Sequence, residues 1–88
     1  MAARTIVEEV HFLAHGKTAH YIYTKPIHGT QKPKWIDDRT LDVRINVKIN
    51  TELKRLLLSY VPYITILSPQ SLVEEHKKAL QLALEQYK

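Results

Sequence analysis

The sequence predicts a two-layer α+β fold in which helices cover one face of a four-stranded antiparallel sheet. Residues 41–49 alternate strictly between apolar and polar side chains, as a strand does, because successive strand side chains point to opposite faces. The polar row leaves that face of the sheet uncovered. The predicted element order is β-α-β-β-α-β with an extra C-terminal helix. Right-handed crossovers arrange this order as a ferredoxin-like sheet with strands one and three in the centre.

Composition predicts one intracellular domain. The chain has 88 residues, which we interpret as a single domain over 1–88 with its core over about 6–87. It contains no cysteine, which excludes disulfides, thiolate catalysis and cysteine-bound zinc. No apolar run approaches the roughly 20 residues that cross a bilayer, and the N-terminus lacks the apolar core of a signal peptide. These features predict a cytoplasmic protein without a membrane partner. The net charge of +4 permits contact with nucleic acid.

The first half of the chain is predicted to hold two strands and one helix ahead of the central strand. Val10, Phe12 and Ala14 should form the buried row of the first strand. Gly16 breaks the chain after it, and Pro26 ends the first helix. The predicted elements are a strand over 6–14, a helix over 17–25, a loop over 27–34, a short strand over 34–36 and a turn over 37–40.

The second half is predicted to hold a helix, an edge strand and a final helix. Asn50 or Thr51 caps the first of these helices, and Pro62 prevents it from continuing. The predicted elements are a helix over about 51–60, a strand over 63–67 and a helix over 69–87. One apolar stripe of the middle helix should be buried. It comprises Leu53, Leu56, Leu57, Tyr60 and Val61.

The final helix is expected to begin with Ser68 as N-cap and Pro69 at the first helical position. A capping box of Ser71 and Glu74 one turn later is the alternative. One face of this helix is expected to carry its packing side chains. They are Leu72, His76, Ala79, Leu80, Ala83, Leu84 and Tyr87.

No residue pattern indicates catalysis, a cofactor or a metal. His11, His15 and His20 lie close in sequence but on a strand, a loop and a helix, without a recognisable ligand spacing. Ser68 lacks the surroundings of a catalytic nucleophile and is better explained by the helix cap. The two glycines do not form a phosphate-binding loop. We therefore expect a protein that is not an enzyme.

Two groups of residues are candidates for binding nucleic acid or a ligand. Cations, hydrogen-bonding side chains and the only tryptophan gather in residues 26–35, a mixture that can bind phosphate and stack a base. The alternative is an irregular connection whose tryptophan packs against the sheet. The polar row of residues 41–49 either is solvated or receives a partner. The candidate contacts are His28, Gln31, Lys32, Lys34, Trp35, Arg44 and Lys48.

The edges of the predicted sheet differ in how well they are protected. The second strand carries lysines and a proline, which discourage pairing with another chain. The fourth strand, residues 63–67, carries no charge and no proline. This strand, with the adjoining end of the final helix, is therefore the expected partner surface, represented by Tyr63, Thr65 and Leu67.

From about Val7 to Tyr87 the chain resembles the C-terminal extension (WCX) domain of bacterial transcriptional regulators that contain a WYL domain. The resemblance covers the strand ending at Phe12, the first helix with Ala19 and Ile22, and the alternating strand. It also covers four short segments, which are PIHGTQ at 26–31, NTELKRLLLSY at 50–60, LSPQSL at 67–72 and LEQY at 84–87.

The resemblance implies a regulatory and dimer-contact module with a ferredoxin-like fold. In such regulators the expected neighbours are a DNA-binding helix-turn-helix, the protein's own WYL domain and a second subunit. The chain itself contains neither the Trp-Tyr-Leu tripeptide nor a helix-turn-helix, so no ligand-sensing or DNA-reading residue carries over. Val61 stands where these domains often have glycine, which leaves Pro62 to end the helix. Met1 suggests an excised domain or a fragment of a longer reading frame.

Two other functions remain open on the sequence. A small-molecule effector domain is compatible with the fold by analogy. A stand-alone RNA-binding domain has the same topology, but its central strands should carry an aromatic platform. The outward row of Asp42, Arg44, Asn46 and Lys48 contains no aromatic residue, which disfavours RNA binding.

Overall fold

A computed structural model describes residues 6–87. It contains seven elements in the predicted order. They are β1 (Val7–His15), α1 (Gly16–Thr24), β2 (Lys32–Trp35), β3 (Thr40–Lys48), α2 (Thr51–Ser59), β4 (Ile64–Ser68) and α3 (Gln70–Glu85). The element bounds differ from the prediction by one or two residues at most ends.

The four strands form one antiparallel sheet in the order β2-β3-β1-β4. The α+β ferredoxin-like prediction is therefore confirmed, with β1 and β3 in the centre. β3 pairs with β1 along its full length, from Val7 opposite Lys48 to His15 opposite Thr40. This long central pair fixes the positions of the two shorter edge strands.

The core lies between the helices and the inner face of the sheet. The apolar row of β3 is buried as its alternation predicts, and Val43 and Ile45 are fully inaccessible to solvent. Val10, Phe12 and Ala14 of β1 are likewise fully buried. The helices contribute Ala19, Ile22, Leu53, Leu57 and Leu72, and the core also includes Ile49, Ile64 and Ile66.

Local signals explain where two of the helices begin. Gly16 starts α1 with φ +62°, in the left-handed region that glycine adopts without a steric cost. Its N–H donates to the carbonyl of Arg39 at 2.8 Å, which joins the end of β1 to the β2–β3 turn. Asn50 caps α2, because its Oδ1 accepts the N–H of Leu53 at 2.8 Å.

The predicted start of α3 is wrong. Ser68 is the last residue of β4, and Pro69 is the N-cap rather than the first helical residue. The ψ angle of Pro69 is 159°, which is extended, and its carbonyl accepts the N–H groups of Leu72 and Val73. The capping box is also wrong: the N-cap makes no side-chain hydrogen bond, and Ser71 lies inside the helix.

The predicted packing face of α3 is correct only over its first turns. Leu72 is buried, and Val73, His76 and Leu80 are half-buried. From residue 81 to residue 87 every side chain is exposed, with Leu84 at 59% and Tyr87 at 89%. The apolar stripe therefore continues beyond the part of the domain that could cover it.

Some of the predicted packing in α2 is weaker than expected. Leu53 and Leu57 are buried, whereas Leu56, Tyr60 and Val61 are half-buried.

No helix within residues 6–87 is long and apolar enough to cross a membrane.

Candidate functional site

The structure divides the sequence-predicted contact residues between the two faces of the sheet. Lys32 lies opposite Arg44 and Lys34 lies opposite Asp42, which places both lysines on the outer face. Trp35 lies opposite the buried Leu41 and therefore belongs to the inner face. Alternation along β2 separates the tryptophan from the cations that accompany it in sequence.

Trp35 packs as part of the structure. Its ring centroid lies 4.7 Å from that of His20 and 5.5 Å from that of Tyr23, both on α1. The side chain is half-buried against the core. The tryptophan thus joins the edge strand β2 to α1, through ring contacts with two residues of the same domain.

The outer face carries a chain of charged side chains across β1 and β3. His11 Nε2 and Asp42 Oδ2 are 2.8 Å apart, and both side chains are largely shielded from solvent. Arg44 continues the chain, with Nη1 3.5 Å from Glu9 Oε1 and Nε 3.9 Å from Asp42 Oδ1. Arg44 thus has acidic neighbours on this face, whereas the lysines of β2 have no ion-pair partner among residues 6–87.

Gln31 holds the loop that precedes β2. Its Oε1 accepts the N–H of Ile27 at 2.9 Å, and its Nε2 donates to the carbonyl of Ile22 at 3.1 Å. One side chain therefore ties the loop to itself and to α1. Because both the oxygen and the nitrogen of the amide are hydrogen-bonded, the side chain holds the loop in place against α1.

Thr30 fixes the other side of the same loop. Its Oγ1 lies 2.9 Å from the N–H and 3.2 Å from the carbonyl oxygen of Asn46 on β3. The Thr30 N–H donates to Nδ1 of His28 at 3.1 Å. The same Nδ1 atom lies 2.8 Å from Thr30 Oγ1, so both contacts hold the imidazole against the loop.

A groove of about 850 Å³ opens between this loop and the beginning of α2. Its apolar lining residues are Val7, Ile27, Val47, Leu53 and Leu56, and its polar lining residues are His28, Thr30, Asn46, Lys48, Asn50 and Glu52. The structure thus brings together His28 and Lys48, two of the predicted contacts that are distant in sequence. The apolar lining was not foreseen, because it forms where three elements meet.

The predicted partner surface lies on the free side of β4. β1 is the only neighbour of β4 in the sheet formed by residues 6–87. Tyr63 is 55% exposed and Leu67 is 43% exposed. Thr65 is also exposed, and its Oγ1 lies 3.0 Å from His15 Nε2 on β1.

A second contact region lies between α2 and α3. Lys54 Nζ and Glu75 Oε2 form an ion pair at 2.5 Å, beside a small cavity lined by Leu57, Leu72 and His76. Burial lowers the pKa of His76, whose Nε2 is inaccessible and has no hydrogen-bond partner among the described residues. The neutral imidazole is the form that this junction favours.

No group of three or more metal-ligating side chains converges within residues 6–87. Asp37 has a local role, since its Oδ1 accepts the N–H of Arg39 and this hydrogen bond lowers its pKa. The carboxylate stabilises the β2–β3 turn.

The comparison with known families agrees with this architecture. The family model of the WCX domain matches residues 7–84, from the start of β1 almost to the end of α3. The chain belongs to the WCX domain family. This membership supports a role as a regulatory domain of WYL regulators. No curated protein matches the chain at a significant level.

The PIHGTQ segment of this WCX domain has a structural role, which its hydrogen bonds define. The side chains of Thr30 and Gln31 are the ones that pin the loop to β3 and α1. His28 lines the groove that the pinned loop creates. The segment thus forms one wall of the groove. The sequence alone could not distinguish such a wall from an irregular connection.

Proposed function

We propose that this WCX domain is a non-enzymatic docking module of a WYL-family transcriptional regulator, and that it meets a second subunit or its own WYL domain through β4. The observation that supports this proposal is the free side of β4, an uncharged strand with exposed side chains at Leu67 within it and at Tyr63 just before it. An unpaired edge of this kind offers N–H and C=O groups to a partner strand.

The opposite edge of the sheet supports the choice of β4. β2 carries Lys32, Pro33 and Lys34, and these side chains oppose pairing by charge and by the missing N–H. The two edges of one sheet therefore differ in their suitability for a partner. Only the β4 edge combines unpaired backbone with an uncharged strand.

The α3 end supplies a second part of the proposed docking surface. Leu82, Leu84 and Tyr87 are exposed by 54%, 59% and 89%. α3 follows β4 directly in the chain, and these three side chains lie at and just beyond its C-terminal end. An exposed apolar patch on a small domain marks an interaction surface.

The proposal is tested with Thr65→Lys, which places a cation on the free edge strand. The variant should weaken self-association, or docking to a separately produced WYL domain, because the cation must be desolvated when the edge pairs. Sedimentation equilibrium measures the self-association, and calorimetry measures the docking.

The matched control is Lys32→Thr, the reverse change on the opposite edge strand. It should leave association unchanged. Equal losses in both variants, or loss only with Lys32→Thr, would place the partner elsewhere and contradict the proposal. The melting temperature of each variant shows whether the fold survives the substitution.

A weaker contact with nucleic acid forms the second part of the proposal. Lys32 and Lys34 project from the outer face without an ion-pair partner among the described residues. No aromatic side chain of β2 or β3 accompanies them there, because Trp35 lies on the inner face. We therefore expect binding through charge alone, without base recognition.

A further inference from the structure

We propose that the groove between the PIHGTQ loop and α2 is a binding site for a small organic carboxylate with an apolar body. The volume of about 850 Å³ falls within the range of small-molecule sites, about 300–1,000 Å³. The site is separate from the β4 edge, so a test that contradicts this inference would not contradict the docking proposal, and the reverse also holds.

The groove is a preorganised structure. Hydrogen bonds of Gln31 hold one part of the loop against α1, and a hydrogen bond of Thr30 holds another part against the backbone of Asn46. Asn50 caps the opposing helix at the groove's other wall. Walls held in this way lose little conformational freedom when a ligand enters, which favours affinity.

The apolar part of the lining fits the body of an apolar ligand. Val47 and Leu53 are almost fully buried and belong to the core, so they form a rigid base for the groove. Val7 is 60% exposed, and Ile27 and Leu56 are half-buried around it. A hydrocarbon or aromatic group placed there would remove this surface from water.

The polar part of the lining favours an anion. Lys48 has no ion-pair partner among residues 6–87, and the imidazole of His28, held by Thr30, lines the same groove. The N-terminus of α2 adds positive potential, which by itself would not define a site. Glu52 also lines the groove, and its charge opposes an anion close to it, so the ligand carboxylate is expected on the Lys48 side of the groove.

The experiment titrates the 88-residue chain with octanoate and, separately, with octanol, and follows backbone amide resonances. Octanoate should bind saturably and shift residues around Ile27, Lys48 and Leu56. Octanol should bind more weakly, because it has the apolar body without the carboxylate. Lys48→Gln should weaken octanoate binding by about fivefold, the size expected for one exposed charge pair.

Two further variants complete the test. Leu56→Lys places a long charged side chain in the apolar lining and should abolish octanoate binding. Lys78→Gln, an equivalent charge loss on the exposed side of α3, should leave binding unchanged. Melting temperatures identify any variant that fails to fold, and Lys48→Gln changes only an exposed side chain.

Four results would overturn the inference. They are octanoate binding that does not saturate, octanol that binds as tightly as octanoate, equal weakening by Lys48→Gln and Lys78→Gln, and shifts confined to the exposed end of α3. The first two remove the carboxylate site, the third removes the role of Lys48, and the last assigns binding to a different apolar surface.

Discussion

At the scale of single residues, the inner row of β3 shows how directly an alternating pattern determines burial. Val43 is fully buried between sheet and helices, while Arg44 and Asn46 on the other face of the strand are exposed. A side chain at position 43 has no route to water unless the layers separate. Its chemical nature therefore bears on the stability of the whole domain.

Val43→Asp should unfold the domain. An unpaired buried carboxylate costs several kcal/mol, and a domain of this size has a total stability of only about 5–15 kcal/mol. Circular dichroism during urea denaturation measures the effect. Asn46→Asp, the same new side chain on the exposed face, should change stability by about 0.5 kcal/mol or less. A Val43→Asp variant that melts near the wild-type temperature would contradict the buried assignment.

Gln31 illustrates a residue with a structural role that the sequence did not reveal. Its contact with nucleic acid or a ligand stays a prediction, and the structure shows that its amide bonds to Ile22 and Ile27. A glutamine in a polar loop has the same local pattern in both roles. Only the closeness of the end of α1, nine residues earlier, distinguishes them.

At the scale of elements, α3 packs on β4 and also contacts α2, at a junction that contains the half-buried His76. Leu57 and Leu72 pack there, and the Lys54–Glu75 ion pair bridges the two helices. His76 lies among these groups with its pKa lowered by burial. Docking of the helix is thereby linked to the protonation of one side chain.

Acidification should reduce stability through His76. The folded state favours the neutral ring, so the unfolded chain, with an ordinary pKa of 6.5, binds the proton first as pH falls. The stabilisation is complete above that pH and is lost as pH drops below it. Between about pH 7.5 and about pH 5.5 the free energy of unfolding should fall more for the wild type than for His76→Gln.

Urea denaturation at several pH values measures this difference, and the subtraction cancels the other histidines. Lys78→Gln is the control, because it changes an exposed side chain of the same helix. The variant should show the same pH dependence of stability as the wild type. Parallel pH profiles for the wild type and His76→Gln would show that the junction does not depend on the protonation of His76.

At the scale of the whole molecule, the domain is flat, with extents of 36 × 36 × 19 Å. Helices occupy one face of the sheet, and the other face presents Lys32, Lys34 and the charged network around Arg44. A broad face with unpaired cations attracts polyanions without distinguishing their sequence.

Single-stranded DNA should therefore bind weakly and with a steep dependence on salt. If Lys32, Lys34 and Lys48 each contact phosphate, log K should fall with log salt with a slope of about −2, from about −0.7 per contact. Replacing Lys34 by Gln should reduce the slope by about 0.7. Fluorescence anisotropy at several salt concentrations measures it.

The control for this measurement is Lys78→Gln on α3, which lies away from the outer face of the sheet and should not alter the slope. Binding that stays tight at high salt, or that prefers one base sequence strongly, would contradict a purely electrostatic contact. It would also require a base-reading surface that Trp35, packed against His20 and Tyr23, does not provide.

The features that depend on neighbouring residues could be predicted from the amino-acid sequence. Alternation over 41–49 predicted the central strand and its buried face, Asn50 predicted a helix start, and the order of elements predicted the sheet. These signals act over a few residues, through strand geometry, capping and the limits on crossover connections.

The features that depend on contacts between distant residues become visible only in the folded domain. It covers the start of α3 but leaves Leu84 and Tyr87 exposed, although the apolar stripe runs the whole length of the helix. It also brings His28 beside Lys48 in one groove. The physical reason is that a periodic pattern specifies which side of an element is apolar, whereas the length and placement of its neighbours decide how much of that side is covered.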